Sequence, residues 1–222
     1  MVYQFRPETA RPGVAETISA LLSSDGGKGH PYFSTRIFIR SRETGRDLAD
    51  ALHFITNLHG RSPGVLDLAA ERPAPAAVRS WLDAAMQGFI EERNYLTRIV
   101  VAAGPLPSTP GQAESEAAAS AQRHAVEMLA RSDREGCALG AAMALLLDWR
   151  AIRAVVDAAA QRFGVALLPP ALPSPRQTLA LAGEAATAGV ERAMVFGAHQ
   201  LLLQHHGLWN MLEARAEARI GT

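Results

Sequence analysis

The sequence contains one cysteine and one lysine, and each scarcity has a consequence. With Cys137 alone among 222 residues, no internal disulfide can form, so a reducing compartment is expected. Lys28 is the only lysine, and 22 basic residues are balanced by 22 acidic ones. Because no basic surface is indicated, nucleic acid is not predicted as a partner. A cytoplasmic location is predicted.

The chain also lacks a long hydrophobic run. Its longest apolar stretch, residues 137–147, is about half of the roughly 20 residues that a bilayer requires, and the N-terminus has no continuous apolar region of a secretory signal. No membrane contact is therefore predicted. Aromatic residues make up only 6% of the chain, whereas 48% is hydrophobic and alanine is abundant between residues 113 and 160. This composition favours helices packed by small and aliphatic side chains.

Several catalytic and binding motifs are absent from the sequence. It has no Gly-rich phosphate loop, no paired Cys-x-x-Cys, no His-Glu-x-x-His and no Gly-x-Ser-x-Gly. Nucleotide-binding folds, zinc ribbons, metalloproteases and α/β-hydrolases therefore lack their defining residues.

Helical periodicity predicts a single all-α domain, an up-and-down bundle of about five main helices. Residues 1–45 are less regular and form an N-terminal arm or accessory helices, in which residues 35–39 fit either a short strand or a helix. The bundle occupies residues 46–222. Its predicted helices span residues 46–58, 75–103, 110–131, 133–163 and 175–219, the last with a break near 187–189.

Three capping boxes mark predicted helix starts in the second half of the chain. Each has a hydroxyl residue followed three positions later by Glu or Gln, which satisfies free main-chain N–H groups at a helix start. They begin at Thr109, Ser132 and Ser174. Short connections on either side of the 110–131 helix predict that it packs beside both of its sequence neighbours.

Four predicted helices each carry one ionisable residue near the middle of the apolar stripe. They are Glu92, His124, Asp148 and His205. Facing helices of a bundle build cofactor and metal sites from inward carboxylates and imidazoles, so these residues form a candidate interior polar cluster. Secondary candidates are His53, His59 and Glu127, and the turn at 58–64 fits either a site mouth or a simple helix stop.

The same residues also fit a purely structural role. A buried carboxylate needs a partner, which for Glu92 could be an arginine, while Asp148 could tether a neighbouring helix. The Glu-x-x-His pairs of di-iron bundles are absent, and His124 to Glu127 reverses their order. No catalytic residue and no cofactor is assigned, and a divalent metal stays open as an alternative.

Three stretches of the sequence carry a resemblance to a known family: Leu-His-Gly-Arg-Ser-Pro-Gly at 58–64, the segment 122–140, and Phe-Gly-Ala-His-Gln-Leu-Leu-Leu-Gln-His-His-Gly-Leu-Trp at 196–209. Together they resemble an uncharacterised bacterial family of all-helical proteins, a domain of unknown function. The resemblance covers most of the chain and implies no activity. The helix count is more loosely similar to ferritin-like and heme-oxygenase-like bundles.

Two function hypotheses follow from the sequence. The first is a helical bundle without catalysis of its own, which binds a small apolar ligand or a protein partner. The last predicted helix has apolar residues on more than one side, Leu203 among them, which predicts a homodimer. The alternative is a metal- or cofactor-dependent enzyme with its site between the bundle helices.

Overall fold

A computed structural model describes residues 12–39, 41, 43–184 and 187–220, and every regular element within these ranges is helical. The prediction of an all-α fold is therefore confirmed. The eight α-helices within these ranges are α1 (Val14–Asp25), α2 (Thr44–His59), α3 (Val65–Ala70), α4 (Ala76–Ala103), α5 (Gln112–Ala130), α6 (Cys137–Arg162), α7 (Pro175–Ala182) and α8 (Ala188–Ala218). A 3-10 turn at Gly27–Gly29 and a π-helical turn at Phe33–Ile37 lie between α1 and α2.

Helix α6 forms the centre of the molecule. Its first turns carry the long apolar run of the sequence, and the other α-helices surround it. It packs most extensively against α8, which in turn contacts α1, α2 and α5. The hydrophobic effect explains this position, because a helix with apolar residues on all sides is stable only when neighbours cover all of them.

The helix starts follow only one of the three capping boxes. Ser174 accepts a hydrogen bond from the Gln177 main chain at 3.3 Å, and the Gln177 side chain accepts one from the Ser174 main chain at 2.9 Å. The predictions at Thr109 and Ser132 are wrong, because α5 and α6 begin directly after Gly111 and Gly136. These glycines have φ angles of 74° and 89°, a left-handed conformation that glycine adopts more readily than other residues. Each glycine is the residue directly before the first turn of its helix.

Of the two neighbours predicted for the 110–131 helix, the structure shows extensive packing with one. Helices α5 and α6 pack against each other as expected, but α4 and α5 both pack against α2, which lies between them. In the N-terminal region, α1 packs along α8, and the π-helical turn at Phe33–Ile37 overlaps residues 35–39, which fitted either a short strand or a helix.

A buried ionic cluster joins the C-terminal end of α8 to α2. Arg215 donates two hydrogen bonds of 3.1 Å to Asp50, and Arg219 contacts both Asp47 and Asp50. Arg36 donates to Asp47 at 3.1 Å. Because each buried carboxylate faces at least one guanidinium, the charges stabilise one another.

Within the part of the chain that the structure describes, no helix combines the length and the apolarity that crossing a bilayer requires.

Candidate functional site

Two glycines bring α6 and α8 into main-chain contact. A Cβ atom added to Gly140 would lie 2.0 Å from the Met194 carbonyl oxygen, and one added to Gly197 would lie 2.0 Å from the Cys137 carbonyl oxygen. The two helices run parallel from this point. Asp148 lies eight residues after Gly140 and His205 eight residues after Gly197, each about 12 Å further along its helix. Their side chains therefore meet at the same height.

Asp148, His205 and His59 form a buried chain of hydrogen bonds. Oδ2 of Asp148 lies 2.7 Å from Nδ1 of His205, and Nε2 of His205 lies 2.8 Å from Nε2 of His59. The Gly27 main-chain N–H donates to Oδ1 of Asp148 at 2.8 Å. All three side chains are buried. This chain of hydrogen bonds links the 3-10 turn, α6, α8 and the C-terminal end of α2.

The direction of these hydrogen bonds follows from the chemistry of the groups. An ionised carboxylate only accepts, so Nδ1 of His205 donates to Asp148. With both rings neutral, Nε2 of His205 is then the acceptor and Nε2 of His59 the donor. Since a neutral imidazole carries one proton, Nδ1 of His59 is left as an unprotonated acceptor.

His59 also lines a surface cavity of about 220 Å³. Helices α2 to α6 and the turn between α2 and α3 supply its wall. The charged residues of the wall are Arg61, Arg93, Arg123, Glu127 and Arg131. Four cations thus face one anion, and the chain of hydrogen bonds ends at a positively charged cavity.

Two of these four arginines are neutralised by neighbours. Arg93 donates to Asp67 at 3.1 Å, and Arg131 pairs with Glu127 at 3.1 Å. Arg61 and Arg123 form no ion pair within the described part of the chain. Their charges are the ones available to a ligand.

Arg93 also acts on His59 directly. Its Nε donates to the His59 carbonyl oxygen at 3.2 Å, which fixes the end of α2. Burial, the neighbouring His205 and the Arg93 charge hold the pKa of His59 well below its usual 6.5. His59 is therefore neutral at physiological pH, the state in which its ring can accept a proton.

Glu92 lies in a second polar group together with Trp149, whose ring centroid is 5.9 Å from that of His59. Its carboxylate accepts from Nε1 of Trp149 at 3.0 Å and from Arg153 at 2.6 Å. Asp157 accepts from both Arg153 and the Tyr95 hydroxyl. Burial and this hydrogen bond raise the pKa of Tyr95 to about 12, so its hydroxyl remains a donor. Glu92 thus has an arginine partner, the structural role that its sequence position allowed.

Glu92, Asp148 and His205 are buried, whereas His124 is not. His124 is exposed on α5, because the buried face of this helix contains Ala119, Val126, Leu129 and Ala130 rather than the predicted line through Met128. Alanines occur on every side of α5 and conceal its orientation.

The secondary candidates have separate positions. His53 bonds the Gly104 carbonyl oxygen at 2.9 Å, where α4 ends, and Glu127 lies at the rim of the cavity. His59 was only a secondary candidate, and its signal was the Gly-Arg-Ser-Pro turn that follows it. The contribution of Gly27 was missed, since nothing in the sequence around it points to Asp148.

The four predicted residues do not form a set of metal ligands. Both nitrogens of His205 and both oxygens of Glu92 are engaged by protein partners, and His124 is exposed on the surface of α5. Among the described residues, no group of three or more His, Cys, Asp or Glu side chains is arranged to hold a metal ion.

Comparison with known proteins places the chain in a family. The model of a family of unknown function, DUF6975, matches residues 22–220. No curated protein is similar enough to the chain to count as a match. The matched segment includes every residue of the hydrogen-bonded chain and the whole wall of the cavity. The protein belongs to the DUF6975 family.

Proposed function

We propose that the protein is an enzyme that moves a proton to or from a small anionic substrate in the cavity beside His59. The observation that carries the proposal is the chain Asp148–His205–His59, whose last ring lines a cavity with an excess of positive charge. The proposal keeps the enzyme alternative of the sequence prediction, with this chain in place of the metal- or cofactor-based site.

The three side chains can together take up one proton from the substrate. Nδ1 of His59 accepts a proton from the substrate, while the proton on Nε2 of His59 passes to Nε2 of His205. His205 then carries the positive charge, 2.7 Å from the Asp148 carboxylate. His59 stays neutral throughout, and the same steps in reverse return the proton to the substrate. The charge thus forms where an anion stabilises it.

The cavity limits the class of substrate. A volume of about 220 Å³ is below the range of about 300–1,000 Å³ that is typical of drug-sized ligands. The guanidinium groups of Arg61 and Arg123 suit a planar carboxylate or a phosphate ester, which they can bind through two oxygens. A small carboxylate or phosphate ester whose acidic proton meets His59 fits both features.

The test is solvent hydrogen exchange, which detects proton transfer before the full reaction is known. The protein is incubated in D₂O with a panel of small carboxylates and phosphate esters, and loss of their C–H signals is followed by NMR. We expect catalysed exchange in at least one compound, abolished in His59→Gln. Arg61→Ala is expected to raise the substrate concentration that gives half-maximal exchange about tenfold, because one charged contact to the substrate is lost.

A matched control is His199→Gln, which alters a partly exposed histidine of α8 that pairs with Asp25 and lies outside the cavity. Exchange by this variant should equal that of the wild type. If no compound exchanges, or if His59→Gln exchanges as fast as the wild type, the proposal is wrong.

We also propose that the protein forms a homodimer in the cytoplasm. Exposed apolar residues on α8 and α5, namely Phe196, Leu203 and Met128, support a contact between two copies. The single buried thiol of Cys137 supports a reducing location.

A further inference from the structure

A second cavity, of about 360 Å³, lies between α3, α4, α6, α7 and α8. It is distinct from the cavity beside His59, and the short helix α3 separates the two: Leu68 lines the first and Ala69 the second. Its volume falls within the range of about 300–1,000 Å³ of small-molecule sites.

The deep part of this cavity is apolar. Its buried lining residues carry no polar side-chain atom: Ala69, Val78, Leu82, Ala138 and Met194. Leu139, Leu181 and Val190 continue the apolar wall towards the surface. A ligand in this space would gain hydrophobic burial and no hydrogen bond, and the flexible Met194 side chain can adapt to its shape.

The charges at the mouth do not select an ionic ligand. Arg72 donates to the Arg131 and Ser132 carbonyl oxygens at 2.8 and 3.0 Å and pairs with Asp133 at 3.4 Å. The guanidinium of Arg134 stacks on the Phe196 ring, 5.5 Å from its centroid. Both cations therefore have partners, and acidic residues stand beside them at the mouth.

We infer that this cavity is a binding site for a compact, neutral, apolar molecule such as a short aliphatic alcohol or a fused-ring hydrocarbon. This cavity has no lining residue in common with the cavity beside His59, and none of its lining residues belongs to the Asp148–His205–His59 chain. It would be a position for the small apolar ligand of the first function hypothesis, which left open a small apolar ligand or a protein partner.

The experiment uses N-phenyl-1-naphthylamine, a neutral probe whose fluorescence rises in apolar surroundings. We expect saturable binding at one site per chain. Ala69→Leu and Ala138→Leu fill the cavity from two different helices, and each should weaken probe binding about tenfold or more. Ala102→Leu, at an exposed position of α4 outside the cavity, is the matched control and should bind as the wild type does.

Two measurements on the wild-type protein test the inference without relying on the folding of a variant. 1-Octanol should displace the probe at lower concentration than octanoate, because the cavity favours a neutral ligand. In a ¹³C-methyl methionine NMR spectrum, 1-octanol should shift the Met194 signal and leave exposed Met128 unchanged. Absence of saturable probe binding, an unmoved Met194 signal, or equal binding by the two filled variants and the wild type would overturn the inference.

Discussion

Asp148 accepts hydrogen bonds from two directions, from His205 and from the Gly27 main chain, and the bond from His205 depends on a side-chain atom of residue 148 that has no proton to donate. An Asn at this position keeps the shape but must present an NH₂ group to one of the two partners. Its oxygen can still accept from Gly27 if its NH₂ donates to Nδ1 of His205. This arrangement reverses the proton positions along the chain and protonates Nδ1 of His59.

The Asp148→Asn variant tests the direction of the hydrogen bonds. Asp148→Asn should change the protonated nitrogen of His59 from Nε2 to Nδ1, and it should abolish the solvent exchange reaction. Because every hydrogen bond keeps a partner, the free energy of unfolding should fall by only about 0.5–1.5 kcal/mol. ¹⁵N NMR of labelled histidines reports the protonation, and urea denaturation reports the stability. If Nε2 of His59 were still the protonated nitrogen in the variant, the direction assigned to the hydrogen bonds would be wrong.

The second prediction follows from the depressed pKa of His59. The unfolded chain binds a proton at His59 below pH 6.5, whereas the folded protein does not, so stability is retained above this pH and lost as the pH falls below it. Below pH 6.5, this residue lowers the free energy of unfolding by about 1.4 kcal/mol for each pH unit. His59→Gln should remove this part of the pH dependence, measured by urea denaturation at pH 7.5, 6.5 and 5.5. If the free energy of unfolding depended on pH in the same way in the wild type and in His59→Gln, the depressed pKa of His59 would be contradicted.

At the scale of the elements, the contact between α6 and α8 determines whether the site forms. Gly197→Ala would place its Cβ atom against the Cys137 carbonyl oxygen, and neither main chain can move without shifting Asp148 relative to His205. We expect a loss of about 3 kcal/mol or more in unfolding free energy, at the upper end of overpacking effects.

Gly189→Ala in the first turn of the same helix is the control. Its Cβ atom would meet its nearest neighbour at 3.7 Å, so the variant should be as stable as the wild type or slightly more so. Equal thermal unfolding midpoints for Gly197→Ala and Gly189→Ala would show that α6 and α8 are not held at this distance.

The elements also show what the sequence could predict. Strong stop signals delimited α2 and α4, where Gly60 and Gly104 follow the last helical residues, and periodicity placed Glu92, Asp148 and His205 on buried faces. Periodicity reports the face of a helix but not its partner or relative height. The pairing of His205 with both Asp148 and His59 therefore depended on the close approach of α6 and α8 and could not be deduced. Helix α3, only one and a half turns long, is too short for a periodic signal.

At the scale of the whole molecule, the exposed apolar residues of α8 predict self-association. Phe196 and Leu203 are two turns apart on one face, 43% and 40% exposed, and Met128 of α5 is 56% exposed. Light scattering should give the mass of two chains at micromolar concentration. Phe196→Glu should shift the protein to a monomer, because the new charge would be desolvated in the contact.

Val101→Glu supplies the comparison for this experiment. Val101 is 76% exposed on α4, so the variant makes the same kind of change on another part of the surface and should remain dimeric. A monomeric wild-type protein over the same concentration range would contradict the dimer.

The wall between the two cavities is a single short helix, and this gives the molecule a property that neither cavity has alone. Leu68 and Ala69 of α3 are adjacent residues that face different cavities, so a ligand that displaces α3 from one side alters the volume available on the other. Thermodynamic linkage requires such an influence to be reciprocal, with each ligand changing the affinity of the other by the same factor. Titrating a small anion in the presence of saturating 1-octanol therefore measures how firmly α3 is held in place.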